Sequence, residues 1–111
     1  MIISYDDFAR VDVRIGTVLG ATPNPGARKP AYVLEIDFGP GLGRKKASAQ
    51  VTELYAPEQL VGRQVAAVVN FPPKQIAQTI SEVLVLGFPD AEGRVALISV
   101  DHPVPNGARM F

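Results

Sequence analysis

The side chains best suited to bind a ligand lie at the ends of two apolar runs. Residues 65–69 end at Asn70-Phe71-Pro72-Pro73-Lys74, and residues 83–86 follow the polar pair Ser81-Glu82. A strand must stop at a double proline, because neither residue can donate a hydrogen bond to a β-ladder. The pattern therefore gathers five side chains at one rim of a β-structure, and such a rim suits a binding site better than a core: Asn70, Phe71, Lys74, Ser81 and Glu82.

Three further side chains complete the predicted pocket. Phe38 ends its own strand just before a glycine turn and is assigned as a second apolar wall, with core packing as the alternative. Arg14 and Gln50 fall on the polar face of the first strands. Apolar walls bind chains of any sequence through buried area, and polar rim groups can hydrogen-bond any backbone. The eight residues predict a site for polypeptide.

One basic run, Arg44-Lys45-Lys46, could contact phosphates together with Lys74. The alternative is a solvated strand start, compensated across a hairpin by Glu35 and Asp37. The glycines before it, Gly39 to Gly43, resemble a phosphate loop. A phosphate loop requires a helix after its glycines, whereas the residues here alternate like a strand, so a turn is predicted.

Residue types argue against catalysis. The chain has no cysteine and one histidine, His102, without the ligand cluster of a metal site or the nucleophile and base of a triad. Asp6 and Asp7 fit a helix start, where carboxylates meet the positive end of the dipole. We expect no enzymatic activity, no cofactor and no metal.

Length and composition set the class of protein. The chain has 111 residues, a formal net charge of zero and a sequence pI near 6.6. One domain over residues 1–111 is expected, and its pI lies well below the value of about 9 typical of nucleic-acid-binding domains. The first residues lack the basic and apolar parts of a signal peptide, and no run approaches the ~20 apolar residues of a membrane span. A cytoplasmic protein without membrane insertion is expected.

Hydrophobic periodicity predicts an all-β chain with short helices. Ser4 to Asp7 form a capping box, and a short helix is predicted around residues 57–60. Strands are predicted around residues 11–18, 32–38, 46–51, 65–69, 83–86 and 95–100. The apolar parity changes at Gly16, so a bulge or a sharp bend is predicted there. The order, three strands, a helix, then more strands, is that of a small barrel.

Three of the predicted strands are apolar on both faces, namely residues 65–69, 83–86 and 95–98. A small barrel buries only one face of most strands, so another part of the structure must cover the outer face of these three strands. Either the chain's own connections cover it or a second subunit does. The closing residues 104–111 are too apolar for a free tail, and a homodimer is expected.

The motifs resemble those of the tRNA-binding-domain OB-fold family. Asn70 to Lys74, Ser81 to Gly87, Phe8 to Val18 and Val104 to Gly107 carry the resemblance. Where tRNA binders have Gly-Met after the serine motif, this chain has Val83-Leu84, so it is most similar to the CsaA-type secretion chaperones. The resemblance implies a five-stranded Greek-key barrel, a homodimer held partly by its terminal segments, and binding of unfolded or precursor polypeptides for the export translocase. The alternatives are a tRNA-binding module and an assembly module of a synthetase complex.

Overall fold

The computed structural model describes residues 1–111, mostly as β-strands. The helices are α1 Tyr5–Ala9, α2 Gly39–Leu42 and α3 Pro57–Leu60. The strands are β1 Val13–Pro23, β2 Tyr32–Asp37, β3 Arg44–Ala49, β4 Gln64–Val68, β5 Lys74–Ile76, β6 Thr79–Ser81, β7 Leu84–Val85, β8 Gly87–Pro89 and β9 Val95–Leu97. No helix is long and apolar enough to cross a membrane.

Five strands form one antiparallel sheet in the order β3-β2-β1-β4-β7. The residues just before β7 return to β3, where the Glu82 N–H donates to the Lys46 carbonyl. The sheet is therefore curved into a nearly closed five-stranded barrel. This confirms the predicted all-β class and OB-fold.

The short helices follow from local sequence. The Ser4 hydroxyl accepts from the Asp7 N–H, and the Asp7 carboxylate accepts from the Ser4 N–H, so the predicted capping box is present. Helix α3 begins at Pro57, whose fixed φ favours the first helical turn. The predicted glycine turn, Gly39 to Gly43, is one helical turn that leads directly into β3.

The bulge in β1 lies three residues after the predicted position. Pairing with β2 shifts register between Val18 and Gly20, whereas Gly16 keeps regular pairing with Val65. Gly16 has a packing role instead. A β-carbon at this position would lie 2.5 Å from Ile36 Cγ2 and 2.8 Å from Phe38 Cδ1, so a glycine lets two large core side chains pack against the strand.

Apolar side chains form two clusters on opposite faces of the sheet. The barrel interior holds the larger cluster, whose largest fully buried side chains are Phe38, Leu34, Ile36, Leu60, Val18 and Val65. The outer cluster consists of Val13, Ile15, Ala66 and Val68. Strand β4 contributes to both, which confirms that its two faces are apolar. The chain itself covers the outer cluster, with Leu86, Ile98, Val100 and Val104.

Two hairpins were not predicted as such. Strands β5 and β6 pair through a two-residue turn, Ala77-Gln78, in a segment predicted to be a plain connector. Strands β8 and β9 form the second hairpin. Ala77 has φ +54°, a left-handed backbone conformation that residues other than glycine rarely adopt. Residue propensities therefore did not indicate a turn at this position.

Candidate functional site

A groove of about 660 Å³ opens between the end of β3 and residues 71–87. Five of the eight residues predicted for the polypeptide site line it: Gln50, Phe71, Lys74, Ser81 and Glu82. Ile76, Val83, Leu84, Val85 and Val95 are among its apolar lining residues. The double proline ends the chain's course along β4 and places Phe71 at the groove's edge.

Two large apolar side chains in the groove remain accessible to solvent. Phe71 is 52% exposed and Leu84 is 50% exposed, while neighbouring Val83 is only 5% exposed and belongs to the barrel core. Residues 83–85 are thus shared between the core and the groove. Burying the exposed parts of Phe71 and Leu84 under a ligand would contribute about 25 cal/mol per Å². Leu84 was not predicted as a site residue, although it stands in the motif on which the prediction rests.

The Ser81 side chain closes the barrel. Its hydroxyl accepts from the Ser48 N–H at 3.0 Å and donates to the Val83 carbonyl at 3.2 Å. Strands β3 and β7 are the two edges of the sheet and do not pair with each other. The Ser81 side chain therefore serves as a hydrogen-bond partner for the edge of β3. Ser81 lies in the groove, as predicted, but its hydroxyl is already engaged.

Glu82 continues this closure. One carboxylate oxygen accepts from the Lys46 N–H at 3.0 Å, and the other lies 3.9 Å from the Lys45 ammonium. The side chains of Gln50 and Lys74, in contrast, are exposed and make no hydrogen bond or ion pair within the chain. These two residues are the free polar groups of the predicted rim.

Phe38 is not a wall of the groove. It is 1% exposed and packs in the barrel interior with Leu34 and Ile36. The alternative of core packing is correct, because Phe38 continues the inward alternation of β2. The space left by Gly16 accommodates its ring.

Arg14 and Asn70 also lie outside the groove, since both tie terminal segments to the barrel. The Arg14 guanidinium donates to Asp12 at 2.6 Å and to the Gly107 carbonyl at 3.0 Å. The Asn70 amide donates to the Arg10 carbonyl at 2.7 Å and accepts from the Asp12 N–H at 3.0 Å. Arg14 and Asp12 are two residues apart, but the other contacts join residues 58 to 93 positions apart in the chain, so no local pattern indicates them.

The carboxylate of Asp12 has an altered pKa. The hydrogen bond from Arg14 lowers the pKa of Asp12, partial burial opposes this, and the positive charges of Arg14 and Arg109 add to the lowering. The same hydrogen bond raises the pKa of Arg14. Asp12 is thus held as an anion between two guanidinium groups, one on β1 and one on the closing segment.

The basic run on β3 is largely compensated. Arg44 pairs with Glu35 at 3.5 Å and Lys45 lies near Glu82, whereas Lys46 has no acidic partner. Most of this run is therefore the solvent-exposed start of a strand, which was the alternative interpretation. Lys74, the fourth residue considered for RNA contact, lies on β5 in the groove.

A second cleft, of about 570 Å³, adjoins the groove. We call it the basic cleft, because its lining includes Arg28, Lys29 and Lys74. The loop after β1 forms one side and β5 forms the other. Sequence reasoning identified the loop from its glycine and prolines but assigned no function to its two cations.

The chain termini form a separate apolar surface. This terminal patch is lined by Tyr5, Phe8, Ala9, Val11, Arg109, Met110 and Phe111. Tyr5 is 71% exposed and Met110 is 47% exposed. No group of three or more metal-ligating side chains occurs in the structure, and His102 is exposed beside Asp101.

The groove, with the serine motif at its edge, can be compared with known proteins. The model of a putative tRNA-binding domain family matches residues 13–109. The chain belongs to this family. The methionine–tRNA ligase of Flavobacterium johnsoniae is 33% identical over 96% of this chain, and the chain spans about 15% of that ligase's length.

Two solved structures are similar to this chain over almost its whole length. The chaperone CsaA of Bacillus anthracis is 50% identical, with a TM-score of 0.91 and full coverage of both chains. The CsaA chaperone protein of Picrophilus torridus is 44% identical, with a TM-score of 0.92 over 99% of this chain and all of the other. The predicted resemblance to the CsaA type within the tRNA-binding-domain family is confirmed.

Proposed function

We propose that this chain is a homodimeric, export-related chaperone that binds unfolded or precursor polypeptides in the groove. The observation that carries the proposal is the groove's composition. Phe71 and Leu84 are half-exposed in it, and its free polar groups are one amide and one ammonium, Gln50 and Lys74. Such a site gains affinity from apolar burial and can hydrogen-bond any backbone, so it does not require one client sequence.

The proposed activity is non-catalytic. It is assigned to a single domain over residues 1–111 in the cytoplasm, with the export translocase as a further partner. Support comes from the two similar structures described as CsaA chaperones, which match the chain from end to end.

The terminal patch supports the proposed dimer. Tyr5 and Met110 expose apolar surface there, and patches of this kind in monomers are often interaction sites. Arg109 is the one charged side chain in the lining of the patch, and it pairs with Asp12 at 3.5 Å. A second copy of the same apolar surface would complement it through isologous contact.

Binding of tRNA is the second candidate, favoured by the family's description and by two unpaired lysines, Lys46 and Lys74. The neutral net charge opposes it, because phosphate contacts dominate RNA affinity. An assembly module for a synthetase is a third candidate, since the ligase relatives extend far beyond this chain.

A pair of titrations tests the proposal. Purified protein is titrated with a short apolar peptide and with tRNA, each at low and at high salt. The proposal predicts peptide binding that changes little with salt and weaker, salt-sensitive tRNA binding. Tight tRNA binding without peptide binding would favour the RNA module. A stable complex with another protein, without binding of either probe, would favour the assembly module.

A further inference from the structure

We propose that the basic cleft binds carboxylates of the client, so that the protein selects polypeptides whose acidic residues flank an apolar stretch. This inference rests on the proposed function, because the cleft extends the same groove. Four residues line both spaces: Ser48, Gln50, Lys74 and Ile76. A client held against Phe71 would therefore pass directly into the cleft.

The distribution of unpaired charge is the first argument. The chain has eleven lysines and arginines, and six of them pair with a carboxylate: Arg10, Arg14, Arg44, Lys45, Arg94 and Arg109. Of the remaining five, Arg63 lies over the Tyr55 ring and Lys46 is on β3. The other three, Arg28, Lys29 and Lys74, all line the basic cleft.

No aspartate or glutamate lines this cleft. In a chain with as many acidic as basic residues, three cations around one acid-free cleft leave a local excess of positive charge. Elsewhere the chain pairs most of its cations with carboxylates, including two of the three in the basic run on β3. A carboxylate from outside would supply the missing partner.

The walls of the cleft are fixed in place. Asn24 is 6% exposed, and its amide nitrogen donates to the Ser48 hydroxyl at 3.0 Å and to the Ile76 carbonyl at 3.4 Å. The Asn24 N–H also donates to the Ala31 carbonyl. The loop that carries Arg28 and Lys29 is thereby joined to both β3 and β5, so its cations border a defined space.

Polypeptide fits this cleft better than RNA. Single-stranded nucleic acid binds through aromatic stacking platforms together with cations, and no aromatic residue lines the cleft. Because the groove and the cleft share four lining residues, an acidic residue beside the apolar stretch of an extended peptide would reach the cleft.

A matched pair of peptides tests the inference. One peptide has an apolar stretch followed by two glutamates, and the other has glutamines in their place. The parent should bind the glutamate peptide about tenfold more tightly at low salt, and the preference should shrink as salt rises. The double variant R28Q/K29Q should reduce the preference to about twofold or less, with unchanged affinity for the glutamine peptide.

Arg63→Gln is the matched control, because it removes an unpaired cation outside both spaces. It should keep the preference of the parent. Equal binding of the two peptides by the parent would overturn the inference and leave the proposed function standing, whereas binding of neither would overturn both. Loss of binding to a single-stranded RNA oligonucleotide in R28Q/K29Q, with both peptide affinities unchanged, would assign the cleft to RNA and overturn the inference.

Discussion

The groove and the terminal patch are both exposed apolar surfaces, yet their polar surroundings differ. At the terminal patch, Arg109 is the one charged side chain of the lining, and it pairs with Asp12 within the chain. Around the groove, Lys74 and Gln50 are free, and the adjoining cleft holds further unpaired cations. The first surface suits a neutral, apolar partner such as a second copy, and the second suits a chain that brings polar groups.

The comparison shows that exposed apolar area does not by itself identify a partner. Phe71 and Met110 expose similar fractions, 52% and 47%. The proposed roles differ because of the polar groups beside each residue. Substitutions in one surface, followed by measurements of both dimerisation and peptide binding, separate the two roles.

The largest effect is expected at the terminal patch. Tyr5→Asp with Met110→Asp would place charges in the proposed dimer contact and should raise the dimer dissociation constant by about 100-fold or more, because unpaired charges are costly to bury. Light scattering at micromolar concentration measures this. Peptide affinity per chain should be unchanged. Phe88→Asp, at an exposed residue outside both surfaces, is the control. A parent that is monomeric at this concentration would contradict the dimer.

A change in the groove should give the opposite result. Phe71→Ala should weaken peptide binding by about 1–3 kcal/mol, the range for truncating an interface anchor, and leave the dimer intact. Because the ring is half-exposed at a strand end, the free energy of unfolding should change little. Phe88→Ala, which removes an exposed aromatic ring outside the groove, is the matched control and should bind like the parent. Equal binding by the Phe71 variant would show that the site is wrongly assigned.

Ser81→Ala separates barrel closure from ligand binding. The substitution leaves the Ser48 N–H without its partner and should lower the free energy of unfolding by about 1–2 kcal/mol in a urea titration. Glu82→Gln retains an oxygen acceptor for the Lys46 N–H and should cost less. If Ser81→Ala instead weakened peptide binding and left stability unchanged, Ser81 would be a rim group of the groove, as its sequence position predicts.

The smallest effect concerns pH. The pKa of Asp12 in the folded chain lies below its unfolded value of about 3.9, so the ionised carboxylate stabilises the fold above that pH. This contribution is lost as pH falls through the folded pKa. Asp12→Asn should therefore cost up to about 1 kcal/mol at neutral pH, as expected for a partly exposed pair, and the difference from the parent should shrink below about pH 4. If the difference in free energy of unfolding between Asp12→Asn and the parent stayed constant down to pH 2, the ion pair would not be the cause of that difference.

The sequence predicted those structural features that depend on residues close together in the chain. The capping box at Ser4, the alternation of β2 and the stop at Pro72-Pro73 were all visible in sequence. The sequence also predicted five of the residues that line the groove, because strand ends on one side of a barrel converge. These residues are Gln50, Phe71, Lys74, Ser81 and Glu82. The family resemblance added the specific fold.

Long-range contacts account for the errors. Arg14 was predicted on the polar face of the first strand and Asn70 at a strand end, but both bind segments that only the folded chain brings near. Phe38 is buried because Gly16, in a different strand, leaves room for its ring. The basic cleft was missed because Arg28 and Lys29 are far in sequence from Lys74, and their lack of acidic partners can be recognised only in three dimensions.

The most direct test of the central claim is a peptide titration followed residue by residue in amide NMR spectra of the ¹⁵N-labelled chain. Addition of a short apolar peptide should shift the amide signals of residues 48–51, 71, 74–76 and 81–85 and leave those of residues 5–11 and 108–111 unchanged. Shifts confined to the terminal residues, or no shifts with peptide while tRNA perturbs the same groove, would contradict the account.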